Sequence, residues 1–269
     1  TKDISTENLK WLTSDQALAD LAYFIEYLKE AGELLPGQKV AVFGGSYPGN
    51  LAAWARLKYP HLVHAAVSSS APVHAEADYP EYMQVVKNSL DRVAGKWCAA
   101  NVKLASDRIV ELLKTADGVA QVKKIFHIAT DLTAKEDIDI FFEILSNPFA
   151  GAVQYNRDSA PQSAYNIKYI CSFVAGDNLT PDEAMQKLSN LVYGGQTNVP
   201  PQDWSYKSQI ASYGLTSYQL QDGEYDASRQ WLYQTCTEFG YFQTFSGDGT
   251  PFPKEYNDLA YAIKLCKDV

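Results

Sequence analysis

A serine enclosed by glycines, between an apolar run and a helical pattern, constrains the fold of this chain most. Residues 40–43 (Val-Ala-Val-Phe) are apolar and include β-branched and aromatic side chains, as a buried strand requires. Ser46 follows within residues 44–49 (Gly-Gly-Ser-Tyr-Pro-Gly), and residues 50–58 have a helical pattern. A serine between a strand and a helix is typical of a nucleophile elbow, whose strained turn lifts the hydroxyl clear of the sheet. Ser46 is therefore a candidate nucleophile, and the Tyr47 N–H is a candidate oxyanion donor at the helix N-terminus.

The spacing within this turn departs from the usual Gly-x-Ser-x-Gly pattern. Pro48 is the second residue after Ser46, and the glycine follows one position later, as Gly49. A proline in the first helical turn loses nothing by lacking an N–H, and Tyr47 retains its own. By itself, however, so short a motif also fits any Gly-Ser turn between a strand and a helix.

The surroundings of the motif favour the catalytic interpretation. Thr13 and Gln16 have the spacing of a capping box, and apolar residues then recur at helical spacing as far as Gly32. Residues 62–70 have the pattern of another buried strand. Residues 13–72 therefore predict the centre of a parallel α/β sheet with Ser46 at the carboxyl end of a strand, where sites in such sheets cluster.

Several separated blocks of the chain carry a family resemblance. The elbow and the helix through His61 resemble the serine carboxypeptidase S28 family, and the similarity around 51–61 is greatest to its thymus-specific serine protease branch. Residues 12–20, 69–73 and 231–238 agree with the same family in the same order. The match runs from near residue 4 to the end of the chain.

The resemblance implies an α/β-hydrolase sheet followed by a mostly helical insertion. We expect residues 1–77 to form the central part of the hydrolase domain and residues 78–269 to form the helical insertion. An α/β-hydrolase triad runs Ser, then Asp or Glu, then His along the chain. In the family the acid and base follow the insertion, so we expect them, and the flanking hydrolase segments at both ends, to lie outside this chain. The isolated chain is then expected to be inactive.

The four histidines within the chain do not supply a convincing base. His61 and His64 flank the strand that follows the nucleophile helix, where local geometry directs them away from the serine or fixes them beside the strand. His74 lies in a loop just past that strand, and His127 lies in an amphipathic helical pattern. An ordinary surface or packed histidine is the favoured interpretation for both.

Composition and charge favour an extracytoplasmic enzyme. The chain has 269 residues and is 46% hydrophobic, which is enough for a sizeable core, and no apolar run approaches the length of a membrane span. The net charge of −9 argues against nucleic acid as a partner. We expect a secreted, lysosomal or endosomal protein whose signal peptide lies outside this chain. Its partners are expected to be short peptide substrates, with a homodimer left open, and no cofactor is expected.

The cysteines and one sequon fit the same location. Four cysteines allow three complete pairings, and the resemblance implies Cys98 with Cys171 and Cys236 with Cys266. The absence of Cys-x-x-Cys or histidine-rich spacing argues against a metal site. Asn178 begins an Asn-Leu-Thr glycosylation sequon, although the proline after it lowers the chance of occupancy.

The remainder of the chain alternates helical patterns with connections that contain aromatic residues, Gly or Pro. Helices are predicted over 82–93, 102–113, 119–128, 138–145, 181–191 and 256–266, with residues 147–149 (Asn-Pro-Phe) assigned to a connection. A helical lid over a hydrolase site would limit substrates to chain ends or small molecules.

A second block supplies candidate substrate-binding residues. Trp231 and Tyr233 could form a flat apolar wall for a proline ring, and Gln234 and Glu238 could bind substrate backbone or a terminal amine. Tyr47, beside the nucleophile, is a further candidate for the pocket lining. The alternative is a packed helix start, because aromatic stripes usually belong to a core.

The leading hypothesis is a serine exopeptidase of the S28 type. Ser46 would attack the peptide carbonyl and form an acyl-enzyme, after proline or a small residue. Both a dipeptidyl peptidase and a prolyl carboxypeptidase remain open, and the acidic candidate Glu238 favours recognition of a free amine. Two alternatives are a lipase or esterase on the same scaffold and a non-catalytic binding homologue.

Overall fold

The chain folds into two compact units. The structure, a computed structural model, describes residues 2–156, 165–221 and 224–269. The first unit comprises Thr1–Ala77 and Leu215–Tyr241, and the second comprises Asp78–Gly214 and Phe242–Val269.

Helices predominate in the described part of the chain. In chain order the elements are α1 (Thr6–Leu9), α2 (Ser14–Glu30), β1 (Val40–Gly45), α3 (Tyr47–Lys58), β2 (Val63–Ser69), α4 (Glu81–Val93), α5 (Lys96–Leu112), α6 (Ala116–Ile125), α7 (Lys135–Gln154), α8 (Ile167–Phe173), α9 (Pro181–Val192), α10 (Tyr206–Tyr213), β3 (Leu220–Gln221), β4 (Glu224–Tyr225), α11 (Ser228–Gln234), a π-helix at Thr235–Phe239, and α12 (Leu259–Asp268). No helix of the described residues is long and apolar enough to cross a bilayer.

The first unit contains the predicted helix–strand–elbow–helix–strand order. The Thr13 side chain caps α2 by accepting the Gln16 N–H at 3.1 Å, whereas the Gln16 side chain donates to Asp20 and does not complete the predicted capping box. β1 and β2 are parallel neighbours. The small core of this unit joins α2, α3 and the start of β2 and is formed by Leu18, Ala22, Ile25, Ala55, Leu62 and Val63.

Both strands keep exposed side chains in this chain, whereas the sequence predicts buried strands. Residues of β1 alternate between half-buried and exposed, and Phe43 is 77% exposed. Val67 on β2 is 47% exposed. The apolar run of β1 predicted the strand correctly, but an alternating strand and a fully buried one cannot be told apart when every residue is apolar.

Residues Leu215–Tyr241 belong to the first unit, whereas the sequence predicts one helical insertion over 78–269. The segment contacts the start of the chain through specific polar contacts. The Ile4 N–H donates to the Thr216 carbonyl at 2.8 Å. Arg229 is buried, and its Nε donates to the Ile4 carbonyl at 2.9 Å. These contacts span more than 200 residues, so no local pattern could indicate them.

The second unit is built around aromatic side chains on α7 and its neighbours. Phe141, Phe142 and Phe149 are completely buried, and the Phe126 ring meets Phe141 edge-on with centroids 5.1 Å apart. Such rings bury large apolar areas and favour edge-to-face contacts. The core of this unit is therefore a helical one, as the sequence predicts for most of residues 78–269.

Helix α7 runs through Pro148, which corrects the assignment of residues 147–149 to a connection. A proline inside a helix lacks one backbone hydrogen bond and crowds the preceding turn, which usually ends the helix. Here Leu145, Phe149 and Ala152 on both sides of it are completely buried. Their burial offsets a proline cost of about 3 kcal/mol. α6, by contrast, is shorter at its C-terminal end than predicted. It ends at Ile125, three residues before the predicted end.

A disulfide joins two helices of the second unit. Cys98 on α5 and Cys171 on α8 form a bridge across a sequence separation of 73 residues. Cys236 and Cys266 are also disulfide-bonded, and none of the described cysteines is free.

Removal of the Cys98–Cys171 bridge should destabilise the second unit. A crosslink that closes a loop of this length lowers the entropy of the unfolded chain, which corresponds to about 2–5 kcal/mol of folding stability. We expect the paired change Cys98→Ala and Cys171→Ala to lower the free energy of unfolding by that amount in denaturant titrations. A loss below about 1 kcal/mol would contradict this account.

A partly buried carboxyl group makes the second unit sensitive to pH. Glu143 on α7 lies 3.4 Å from the Tyr261 hydroxyl, which donates to Gln209 Oε1 at 2.8 Å. Burial raises the pKa of Glu143 above its ordinary value, and the negative charge of Asp139 adds to the effect. A carboxyl group whose pKa is higher in the folded state than in the unfolded state favours folding as the pH falls, because the folded state binds the proton more tightly.

We therefore expect Glu143→Gln to stabilise the protein at pH 7 and to reduce its gain in stability between pH 7 and pH 5. Glutamine has the size of the protonated acid but does not ionise, so the cost of an ionised buried group at pH 7 is removed. The thermal unfolding midpoint should rise by about 2 °C or more at pH 7 and change little at pH 5. The matched control Glu255→Gln, at an exposed position of the same unit, should leave both midpoints unchanged. Equal effects of the two variants would refute the assignment to Glu143.

Candidate active site

Ser46 occupies a strained turn between β1 and α3. Its backbone has φ 58° and ψ −135°, a region that residues with a side chain rarely adopt. The Ser46 N–H donates to the Ser69 carbonyl at 3.0 Å, and the Ser46 carbonyl accepts the Gly49 N–H at 2.8 Å. The residue is exposed, and its hydroxyl has no hydrogen-bond partner among the described residues. This is the backbone geometry of a nucleophile elbow.

Two glycines make this turn sterically possible. A Cβ at Gly44 would lie 2.0 Å from the Pro48 carbonyl oxygen, and one at Gly49 would lie 2.8 Å from the Ala71 Cβ. A Cβ at Gly45 would meet no atom within 4 Å. The glycine that arrives one residue later than in the usual motif is therefore the one that allows α3 to pack against the end of β2. Pro48 lies in the first turn of α3, as the sequence predicts.

The Tyr47 N–H lies at the N-terminus of α3, and its oxyanion role stays a prediction. Tyr47 is the first residue of α3, and its N–H has no acceptor among the described residues. The first N–H groups of a helix point outward at its N-terminal end and favour negative charge there. An oxyanion formed on a carbonyl attacked by Ser46 would lie at this terminus.

Aromatic side chains surround the Tyr47 ring. The centroid of the Trp231 ring lies 5.8 Å from that of Tyr47, and the centroid of the Phe239 ring lies 5.0 Å from it. Phe239 also stacks with Trp54 of α3 at 6.2 Å. Gln234 is buried, and its Nε2 donates to the Tyr47 hydroxyl at 3.3 Å. The structure thus brings together three of the predicted pocket residues: Tyr47, Trp231 and Gln234.

The electrostatic environment keeps the Tyr47 hydroxyl protonated. Burial raises the pKa of Tyr47 above its ordinary value, and the negative charge of Glu238 adds to this. Trp231 remains 43% exposed, so part of the aromatic surface beside Tyr47 is open to solvent. An open aromatic surface next to a neutral hydroxyl can accept a flat apolar group such as a proline ring.

Glu238 influences Tyr47 through its charge, but its hydrogen bonds go to α2. The Glu238 carboxylate accepts the Ser14 N–H at 3.1 Å and the Ser14 hydroxyl at 2.9 Å, so it holds the first turn of α2. Tyr233 is half-buried and lies two residues after Trp231, on another side of α11. The substrate-binding roles of both side chains stay predictions.

Residues that the sequence did not indicate complete the site. Asn50 on α3 is completely buried, and its Nδ2 donates to the Pro72 carbonyl at 2.9 Å and to the Tyr241 hydroxyl at 3.0 Å. Because a carbonyl only accepts, the amide must turn its NH2 group toward Pro72. Asn50 Oδ1 is left without a partner in the described part of the chain. Trp54 lies seven residues after Tyr47, and helical spacing could have indicated it, whereas nothing local marks Asn50 as buried.

The remaining predicted residues lie in ordinary surroundings. His74 is exposed and pairs with Glu76 at 3.5 Å, and the half-buried His127 meets the Tyr193 ring edge-on at 5.7 Å. The described residues contain no group of three metal-ligating side chains. Asn178 is exposed immediately before the Thr180 cap of α9, so its glycosylation stays a prediction.

The strand, strained serine and helix define an α/β-hydrolase-type fold with its nucleophile elbow. The profile of one family, serine carboxypeptidase S28, matches residues 1–269. The chain belongs to this family. It is 38% identical to a Caenorhabditis elegans protein named as a candidate serine protease, over 91% of this chain and 48% of that protein. It is 33% identical to the mouse thymus-specific serine protease, over 97% of this chain and 52% of that protein.

A further relative is named as a carboxypeptidase rather than as a serine protease. The chain is 29% identical to the Bos taurus lysosomal Pro-X carboxypeptidase, over 87% of this chain and 46% of that protein. The chain spans about half the length of the curated relatives it matches.

We expect Gly44→Ala to disrupt the elbow and Gly45→Ala to be tolerated. The first change places a methyl group against the rigid Pro48 carbonyl, which should cost about 3 kcal/mol or more. The second adds a methyl group in open space at an ordinary φ, so stability should change by less than about 1 kcal/mol. Denaturant unfolding of both variants measures the difference. Equal stability of the two would contradict the close approach at Gly44.

Proposed function

We propose that Ser46 is the nucleophile of a serine exopeptidase that acts on short peptides. The carrying observation is the strained, exposed serine between a parallel strand and the N-terminus of α3. The serine would attack the scissile carbonyl and form an acyl-enzyme, which water then hydrolyses. The Tyr47 N–H would stabilise the oxyanion of each tetrahedral intermediate. Membership of the serine carboxypeptidase S28 family supports this reaction class.

The general base and its orienting acid are proposed to come from residues outside this chain. Ser46 Oγ has no partner among the described residues, and the histidines described above have other contacts. A serine hydroxyl needs a base within hydrogen-bond distance for efficient attack. We therefore expect the full-length protein to hydrolyse peptides and residues 1–269 alone to show negligible turnover.

The substrate class is proposed from the aromatic surface beside Ser46. Trp231 and Tyr47 present aromatic faces of the size that suits a proline ring, and Gln234 holds the Tyr47 hydroxyl. The name of the bovine Pro-X carboxypeptidase supports cleavage after proline, without deciding which end of a peptide is recognised. The lid role of the second unit stays a prediction.

The location is proposed from the disulfides. Disulfides form and persist in oxidising compartments, and none of the described cysteines is free. A relative named as lysosomal supports the same placement. We propose a secreted, lysosomal or endosomal protein.

Ser46→Ala in the full-length protein should reduce peptide hydrolysis by at least about 1,000-fold. The assay uses peptides ending in Pro-Xaa and reporters bearing an N-terminal Xaa-Pro or Xaa-Ala dipeptide, at pH 5 to 7. The control Ser212→Ala, at an exposed position on α10, should retain full activity and fluorophosphonate labelling.

Other outcomes would overturn parts of the proposal. Labelling of Ser46 with hydrolysis of simple esters but of no peptide would indicate an esterase. A full-length protein that neither hydrolyses peptides nor reacts with the probe would indicate a binding homologue. Activity that survives in the Ser46→Ala variant would exclude this serine as the nucleophile.

A further inference from the structure

A cleft of about 670 Å³ lies at the amino end of the two-stranded sheet, within the first unit. It is formed by the end of α2, the connection to β1, and the segment that leads from α3 into β2. This volume is within the usual range for a small-molecule site. Ser46 follows the opposite, carboxyl end of β1, so the cleft is separate from the candidate active site.

The charged side chains that line this cleft are all basic or basic when protonated. They are Lys29, Lys39, His61 and His64, and no aspartate or glutamate of the described residues lines it. The chain as a whole has 32 acidic and 23 basic side chains, so a wall without carboxylates departs from the average surface. We call this site the basic cleft.

The two lysines of the basic cleft are not used in ion pairs. Other lysines and arginines of the described residues form ion pairs with carboxylates. In the described part of the chain, no carboxylate oxygen lies within 4 Å of the ammonium group of Lys29 or of Lys39. Both lysines are exposed. Unpaired ammonium groups beside a concave apolar surface are available to an anionic ligand.

A backbone irregularity places His64 at this site. The parallel pairing runs from Val40 opposite Val63 directly to Ala41 opposite Ala65, so His64 has no Cα partner on β1. A bulge of this kind re-aims a side chain relative to the regular alternation of a strand. His64 and the exposed His61, which precedes the strand, both line the cleft.

The nearest other charged groups are on the same elements but do not line the cleft. Glu26 and Glu30 lie near the end of α2, and Glu33 lies in the following connection. On the segment from α3 to β2, the neighbouring titratable group is Tyr59, whose ring is 6.3 Å from that of His61. The lining of the cleft therefore contains cationic or protonatable side chains and no carboxylate of the described residues.

We propose that the basic cleft binds a phosphate or sulfate monoester of a sugar-sized molecule. The oxygen atoms of an anionic phosphate or sulfate ester can accept hydrogen bonds from several ammonium and imidazole groups at once. The apolar parts of the wall, contributed by Leu34, Leu35 and Pro36, can contact the uncharged remainder of the ligand.

The test is titration calorimetry on the full-length protein with inorganic phosphate, glucose 6-phosphate, glucose 6-sulfate and glucose. At pH 5.5 both esters should bind more tightly than inorganic phosphate, and glucose should not bind. Lys29→Gln and Lys39→Gln should each weaken ester binding about fivefold or more at pH 5.5, because each removes one direct charge. The ester that binds more tightly indicates whether the cleft prefers a phosphate or a sulfate group.

Two controls separate this site from non-specific attraction and from catalysis. Lys124→Gln makes the same charge change at an exposed position of the second unit and should leave ester binding unchanged. Ser46→Ala should also leave it unchanged, so failure here is distinguishable from failure of the peptidase proposal. Absence of ester binding at 10 mM and pH 5.5, or equal weakening by Lys39→Gln and Lys124→Gln, would overturn the proposal.

Discussion

The close passage of α3 over the end of β1 is the constraint on which the candidate site depends. With the Gly44 Cα directly beneath the Pro48 carbonyl, no side chain fits at that position. The chain must reverse within one residue, and Ser46 takes a positive φ to do so. The strain at one residue, of order 1–3 kcal/mol, is sustained because both neighbouring elements are held independently.

β2 supplies much of that support. Its Ser69 carbonyl accepts the Ser46 N–H, and its Ser68 hydroxyl donates to the Gly49 carbonyl at 2.9 Å. Asn50, one turn further along α3, is tied to the segment that follows β2 through Pro72. The turn is therefore held on three sides by hydrogen bonds, which keeps the serine hydroxyl and the Tyr47 N–H in fixed relative positions. Preorganised groups of this kind are what acyl-transfer chemistry requires.

The predicted parts of the site depend on residues close together in the sequence. The parts that were not predicted depend on contacts between residues far apart in the sequence. Ser46 and Tyr47 follow from a motif of six consecutive residues and its flanking periodicity, and the structure has the expected turn. Phe239 could not be placed beside Tyr47 from sequence, because the contact depends on a π-helix and on the return of Leu215–Tyr241 to the first unit. For the same reason the sequence could not indicate that the Glu238 carboxylate, on the π-helix, accepts the Ser14 N–H of α2.

The amino-acid sequence alone indicated most of the longer helices, the two parallel strands, the elbow and the family of this chain. Those features depend on local periodicity and on short motifs, in which each residue constrains its near neighbours. Tertiary structure alone decided that α7 continues through Pro148, that residues 215–241 join the first unit, and that Lys29, Lys39 and two histidines share one cleft. These outcomes depend on burial and on hydrogen bonds between residues far apart in the chain, whose free energies can exceed local preferences and leave no local pattern.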